Sequence, residues 1–294
     1  MSPLSPRLYF PPVKITNSFA PGKIIVSGEY AVVFGHQGVA VPTTIGMLAT
    51  YEESPGAKSL ATHWEGIQPT NEWREFLDEI IRRIEKHRRP VRGVLTIKNH
   101  LPLGKGLGSS TALIIAVCRS ILGTECQKEA RSIEDVLNPG HSGIDFAVIW
   151  EKAPVSFTKK DGPKPIPLDH SLLANAVLID TGKPEQATPE LVAWVKSREK
   201  ECSNALETIG HCSEELMAGK ELSEILKKHH RAQVELGIVP KKVQKLISEI
   251  EKAGGAAKVV GAGAKSGGGG MVLAIGITPV QLRGMHVQSA LITL

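Results

Sequence analysis

The sequence has few aromatic residues, only a small net charge and no long apolar run. Phe, Trp and Tyr make up 4% of the 294 residues, and the net charge is +5 with Lys and Arg scattered along the chain. Nucleic-acid surfaces combine basic patches with stacking aromatics, so we expect no nucleic-acid partner. Prolines punctuate the N-terminus, and Arg119 interrupts the longest apolar segment. We therefore expect no signal peptide and no membrane span.

Cysteine is also scarce, with four residues in the whole chain. These cysteines form no CxxC pair, and no histidine stands at zinc-ligand spacing from them; they are Cys118, Cys126, Cys202 and Cys212. A disulfide framework and a zinc cluster are both disfavoured by this pattern. Reduced thiols are typical of the cytoplasm, where we expect the protein to reside.

Neither of the two common phosphate-binding patterns is present. The P-loop pattern GxxxxGK[ST] is missing, and residues 101–112 contain GxGxG in place of GxGxxG. Glycines at positions 104, 106 and 108 would let backbone N–H groups turn inward, and the apolar helix that follows would direct its positive end to the same point. The segment predicts either a phosphate-binding loop or a glycine-rich turn with Ser110 as a helix cap.

The length of the chain favours two domains that share a cleft. We place their boundary near residue 172. Alternating and apolar segments predict strands at 23–27, 39–41, 48–51, 93–99, 176–180, 258–260 and 271–275. Amphipathic or apolar segments predict helices at 73–84, 111–122, 191–206, 222–236 and 241–252. The glycine loop thus joins a strand to a helix, as phosphate-binding loops do.

A second glycine-rich segment lies between the last two predicted strands. Residues 261–270 contain six glycines, and each glycine loses extra conformational entropy on folding. We expect either that another group approaches this backbone closely or that the loop is mobile.

The remaining polar candidates suit phosphoryl transfer. This chemistry needs a positive group, a hydroxyl and a carboxylate for Mg²⁺, and a carboxylate that takes the proton of the attacking hydroxyl. Lys23, Ser110, Glu134 and Asp145 supply these types. Each has an ordinary alternative: a solvated lysine at a strand end, a helix cap, an exposed helix glutamate and a turn-capping aspartate.

Four segments in order, 20–35, 102–110, 142–145 and 261–263, resemble the signature segments of the GHMP small-molecule kinases. The resemblance spans nearly the whole chain and is greatest to members that phosphorylate mevalonate. It implies an α+β fold of two domains. Residues 1–172 would form a nucleotide domain like domain 2 of ribosomal protein S5, with a left-handed βαβ unit, and residues 173–294 a ferredoxin-like domain.

The same resemblance implies roles for individual residues. Asp145 would be the base, and Lys23 would stabilise the transferring charge. Ser110 and Glu134 would hold Mg²⁺. The ATP-binding residues would be Gly104, Gly106, Leu107, Gly108, Ser109, Ser110, Gly261 and Gly263. The acceptor, mevalonate, would meet Glu29, Tyr30, Ser142 and Thr188, the last of which also has the signature of a helix cap. We expect a monomer or homodimer.

Departures from the family pattern bear on the acceptor. Tyr30 stands where mevalonate-specific members have histidine, and tyrosine is also found in members that act on phosphomevalonate. His141 replaces a proline, and Lys265 lies within an insertion in the third signature. A phosphorylated acceptor would need further basic groups, for which Lys14, Lys183 and His141 are the candidates. A family decarboxylase and a non-catalytic nucleotide-binding regulator are further alternatives.

Overall fold

The computed structural model describes residues 14–54, 56–87, 90–168, 170–173, 175–285 and 291–293. The strands are β1 (Lys14–Ser27), β2 (Gly38–Glu53), β3 (Leu60–Gly66), β4 (Gly93–Asn99), β5 (Val155–Thr158), β6 (Gly162–Pro165), β7 (Val177–Asp180), β8 (Ala256–Val259), β9 (Met271–Ile275) and β10 (Leu291–Thr293). The helices are α1 (Asn71–His87), α2 (Ser109–Leu122), α3 (Gln127–Leu137), α4 (Ile144–Glu151), α5 (Thr188–Ser197), α6 (Glu199–Met217), α7 (Leu222–Glu235), α8 (Lys241–Lys252) and α9 (Pro279–Gly284).

The first sheet has the order β3-β4-β2-β5-β6, with β1 paired to β2. Only β3 and β4 run parallel, and α1 forms the crossover between them. The two strands predicted at 39–41 and 48–51 belong to the single long strand β2, whose two ends pair with β5 and β4 respectively. The alternating pattern misses this continuity because Pro42 interrupts it. The left hand of the crossover stays a prediction.

Helix α2 lies in the middle of the part of the fold that is built on the first sheet, as its apolar sequence predicts. Residues 112–118 are all completely buried, and the helix packs on β1 and β2. It begins at Ser109, directly after the first glycine loop. The core therefore fixes the point at which the N-terminus of α2 meets solvent. No helix in the described ranges has both the length and the apolar character needed to cross a membrane.

The second sheet has the order β10-β7-β9-β8, and all its pairings are antiparallel. Helices α5–α8 connect β7 to β8, and α9 connects β9 to β10, which is the split βαβ arrangement of ferredoxin-like folds. The helix predicted at 191–206 is two helices, α5 and α6, that break at Arg198. The boundary near residue 172 stays a prediction; residues 1–13 and Leu294 lie outside the described part of the chain.

One hydrophobic cluster contains residues from both sheets. The cluster that contains Ile24 of β1 also contains Leu226 of α7 and Leu273 of β9. A second cluster under β7–β9 includes Tyr30 and Ala31 from the turn that follows β1. The cleft between the sheets is consequently a packed junction, and both glycine loops lie in it.

Candidate active site

A cavity of about 310 Å³ opens at the junction of the two sheets. Its wall is made by the end of β1, both glycine loops, the α3–α4 connection and the start of α5. Most of the residues that the sequence singled out line it: Lys23, Glu29, Tyr30, Gly104, Gly106, Gly108, Ser109, Ser110, Glu134, Ser142, Asp145, Thr188 and Gly261. Leu107 and Gly263 lie outside the wall.

Lys23 and Asp145 form an ion pair within this cavity. The Lys23 Nζ atom is 3.1 Å from Asp145 Oδ1. Lys23 is only 2% exposed, so it is not a solvated lysine at a strand end. The Asp145 side chain, on the first turn of α4, is one-third exposed to the cavity. A buried cation beside an accessible carboxylate can orient a hydroxyl, take its proton and stabilise negative charge.

The first glycine loop has a backbone that only glycine adopts easily. Gly104, Gly106 and Gly108 have φ values of +68°, +88° and +74°. A Cβ atom on Gly108 would lie 2.9 Å from Lys23 Cγ. The buried Leu107 takes part through its carbonyl, which accepts a hydrogen bond from the Lys23 N–H at 2.9 Å. The loop thus positions the lysine as well as the N-terminus of α2.

The second glycine loop packs directly on the first. A Cβ atom on Gly106 would lie 2.6 Å from the Val260 carbonyl oxygen, and one on Gly261 would lie 2.9 Å from Gly106 Cα. A Cβ atom on Gly263 would likewise be too close to the Ile238 carbonyl oxygen. This contact explains why position 263 is glycine although it lies away from the cavity. The glycine content of the second loop predicts that another group approaches it closely, and that group is protein backbone.

Glu134 is a buried carboxylate with one free oxygen. It is 1% exposed, and its Oε1 accepts a hydrogen bond from Thr111 Oγ1 at 2.8 Å. Its Oε2 has no hydrogen-bond partner among the described residues. Burial raises the pKa of Glu134 to about 7. A cation beside Oε2 would offset that penalty, so the carboxylate and the Ser110 hydroxyl, which lines the same cavity, fit Mg²⁺, which takes oxygen ligands and completes its shell with water and phosphate. The sequence did not indicate Thr111.

Glu29 and Tyr30 line the cavity, but both are tied to the second half of the chain. The carboxylate of Glu29 pairs with Lys258 of β8 and His229 of α7. The Tyr30 hydroxyl donates to the Ala262 carbonyl at 2.6 Å. Sequence reasoning missed Lys258 and His229. The available signal was a single lysine inside an apolar strand, which requires a partner when buried.

The other polar candidates have local contacts. His141 Nε2 is 2.8 Å from Asp135 Oδ1. The Ser142 hydroxyl accepts from the Ile144 N–H at 3.3 Å. Helix α5 begins at Thr188 itself and no side chain caps it, so the predicted capping role of Thr188 is wrong. Lys265 lies over the ring of Trp194, at 4.8 Å from its centroid, outside the cavity wall.

Comparison with known proteins shows which proteins this chain resembles. Residues 75–147 match the profile described as "GHMP kinases N terminal domain", a span that includes the first glycine loop and Asp145. This part of the chain is therefore similar to the N-terminal domain of GHMP kinases.

Curated relatives and solved structures show which individual proteins the chain resembles. The chain is 25% identical over 280 residues to the mevalonate kinase of Archaeoglobus fulgidus, covering 87% of this chain and 90% of the relative. It is also 25% identical over 309 residues to the mevalonate kinase of Pyrococcus horikoshii, covering 90% and 89%.

In fold, it is similar to the crystal structure of Methanococcus jannaschii mevalonate kinase, with a TM-score of 0.76, 19% identity and 98% of both chains covered. Streptococcus pneumoniae phosphomevalonate kinase gives a TM-score of 0.69 at 18% identity, covering 95% of this chain and 98% of that one. At these identities the two structures support the fold alone.

Proposed function

We propose that the protein transfers the γ-phosphate of ATP to the primary hydroxyl of mevalonate and releases 5-phosphomevalonate and ADP. The observation that carries the proposal is the Lys23–Asp145 pair, at 3.1 Å, in a cavity lined by both glycine loops. The mevalonate kinases among the relatives support the choice of acceptor.

Each group has a role that follows from its position. Asp145 accepts the proton of the attacking hydroxyl, and Lys23 stabilises the charge that develops on the transferring phosphate. The first glycine loop and the N-terminus of α2 bind the triphosphate. Ser110 and Glu134 would hold Mg²⁺, which neutralises phosphate charge when bound. Attack is direct and in line, with no phosphoenzyme.

The charge of the cavity favours mevalonate over phosphomevalonate. A phosphorylated acceptor adds about two negative charges at neutral pH and needs additional cationic partners. Of the three candidates, Lys14 and Lys183 are exposed and lie outside the cavity wall, and only His141 lines it. Among the described residues of that wall, Lys23 is the one lysine and there is no arginine.

The test is an ADP-release assay coupled to NADH oxidation, with mevalonate, phosphomevalonate, homoserine and galactose offered separately. We expect strong turnover with mevalonate only. Turnover with phosphomevalonate, the acceptor that Tyr30 favours, would replace the substrate assignment. No turnover with any of the four would favour a nucleotide-binding regulator.

Glu134→Gln is expected to raise the Mg²⁺ concentration needed for half-maximal activity by at least about tenfold. Loss of an outer-shell partner already costs about 10–100-fold in metal affinity, and Glu134 would be a direct ligand. The measurement is activity across a Mg²⁺ titration at saturating ATP. Glu129→Gln, on the first turn of the same helix, is the control and should leave the requirement unchanged. An equal requirement in both variants would remove Glu134 from the metal site.

We further propose that the protein acts in the cytoplasm as a monomer or homodimer. The reduced state expected for its cysteines and the small-molecule nature of both substrates support this assignment.

A further inference from the structure

The turn at residues 28–30, between β1 and β2, is held by side chains from the second half of the chain. Lys258 Nζ pairs with Glu29 Oε1, and His229 Nε2 is 3.0 Å from Glu29 Oε2. Lys258 also donates to the Val259 carbonyl at 3.1 Å. The three side chains of this cluster, called here the Glu29 triad, are between 0% and 2% exposed.

The charges within the triad are mutually dependent. Burial by itself would raise the pKa of Glu29, but Lys258 and His229 outweigh burial and lower it to about 2. Burial also lowers the pKa of His229, so its ring is neutral at pH 7. Removing Lys258 would thus leave a buried carboxylate without its cation, and the turn that carries it would have to move or take up a proton.

The neutral ring of His229 can serve only one partner through Nε2. That atom lies 3.0 Å from Glu29 Oε2 and 3.4 Å from the Gly28 backbone nitrogen. One in-plane position at Nε2 either donates or accepts. The hydrogen bond at Nε2 is the one accepted from the Gly28 N–H, and Glu29 Oε2, which has no hydrogen-bond partner among the described residues, keeps only its 3.0 Å contact with the ring.

Tyr30 holds the same turn from another side. Its φ of +62° lies in the left-handed region, which costs energy in a residue other than glycine. Its hydroxyl donates to the Ala262 carbonyl in the second glycine loop, and its side chain belongs to the same hydrophobic cluster as Val177 and Ile179 of β7. The strained turn is therefore fastened both to the second sheet and to the loop that contacts the first glycine loop.

We propose that Lys258, acting through Glu29, is a positioning residue that fixes the 28–30 turn against the cavity and thereby sets the place of the phosphoryl acceptor. The inference rests on the proposed function, in which Glu29 and Tyr30 lie beside the acceptor. Lys258 itself is outside the cavity wall, so it contributes through position alone.

The chain provides a matched control for this proposal. Gln233 of α7 is fully buried, and its amide bonds the Val259 backbone in both directions, at 2.9 Å and 3.2 Å. It thus supports the same strand as Lys258 without contacting the turn. Lys258→Met removes a buried polar group on β8 and Gln233→Met one that bonds β8, and the introduced side chain is the same.

The experiment compares steady-state kinetics and amide hydrogen exchange of the two variants. For Lys258→Met we expect kcat/KM for mevalonate to fall about 100-fold, KM for ATP to change less than about twofold, and exchange across residues 28–36 to increase. For Gln233→Met we expect a lower Tm with all three quantities near wild type. Equal kinetic and exchange changes in both variants would overturn the proposal.

A double variant covers the case in which Lys258→Met does not fold. Glu29→Gln with Lys258→Met removes both charges, which is tolerated better than removing one. Because Lys258 acts through Glu29, the double variant should match Glu29→Gln alone within about threefold in kcat/KM for mevalonate. A larger additional loss would contradict the proposal. A wild-type protein that does not phosphorylate mevalonate would refute the proposed function, whereas increased exchange at 28–36 in Lys258→Met would still support the positioning role.

Discussion

Replacement of Asp145 by asparagine should lower kcat for phosphorylation of mevalonate by about 10²–10⁴-fold, the usual contribution of a general base. Asparagine keeps the shape of the side chain but cannot accept the hydroxyl proton. Since Asp145 lies on α4 and the triphosphate would bind at the glycine loops, KM for ATP should change little. The measurement is steady-state ADP release at saturating mevalonate and ATP, with Tm determined in parallel to confirm folding.

Asp161→Asn is the control for this substitution. Asp161 also pairs with a lysine, Lys164, at 3.6 Å, but it belongs to the exposed turn of the β5–β6 hairpin. The Asp161→Asn substitution should leave kcat unchanged. Near-wild-type turnover of a folded Asp145→Asn protein would show that the hydroxyl loses its proton elsewhere, and the role of Lys23 would then have to be assigned without a neighbouring base.

The parts of the site that could be predicted from the sequence are those with short local signatures. The first glycine loop follows directly after a strand that was predicted with its correct bounds, β4, and precedes an apolar helix. The loop and the start of the helix are both determined by residues that are neighbours in the sequence. The glycines allow positive φ values, and the apolar segment that follows places a helix N-terminus next to the loop. Lys23 and Asp145 followed from the order of the segments, and the structure brings them within 3.1 Å.

The Glu29 triad could not be predicted because its members are distant in sequence and belong to three different elements. Lys258 stands within the apolar segment 256–260, so burial of its charge was foreseeable. Nothing local indicates which carboxylate it meets. The same limit applies to the break between α5 and α6, since the predicted helix 191–206 contains neither glycine nor proline to mark it.

The contact between the two glycine loops is also non-local. A substitution that disturbs this contact should strongly reduce the stability of the protein. Gly106→Ala should destabilise the ligand-free protein by about 2–5 kcal/mol, which combines the cost of a left-handed alanine with that of overpacking against a backbone atom. The added Cβ would lie 2.6 Å from the Val260 carbonyl oxygen. Because the two loops would be pushed apart, kcat/KM for ATP should also decrease. Chemical denaturation and ATP kinetics measure the two effects.

Gly104→Ala separates the contact from the backbone strain. Gly104 has a φ of +68°, close to that of Gly106, but an added Cβ would meet no described atom within 4 Å. The stability loss should therefore be only the conformational cost of about 1–2 kcal/mol. If both variants lost the same stability, the steric contribution of the Val260 carbonyl would be refuted. A clear difference would show that the first glycine loop keeps its shape partly through the second glycine loop, whose Ala262 carbonyl accepts the hydrogen bond from the Tyr30 hydroxyl.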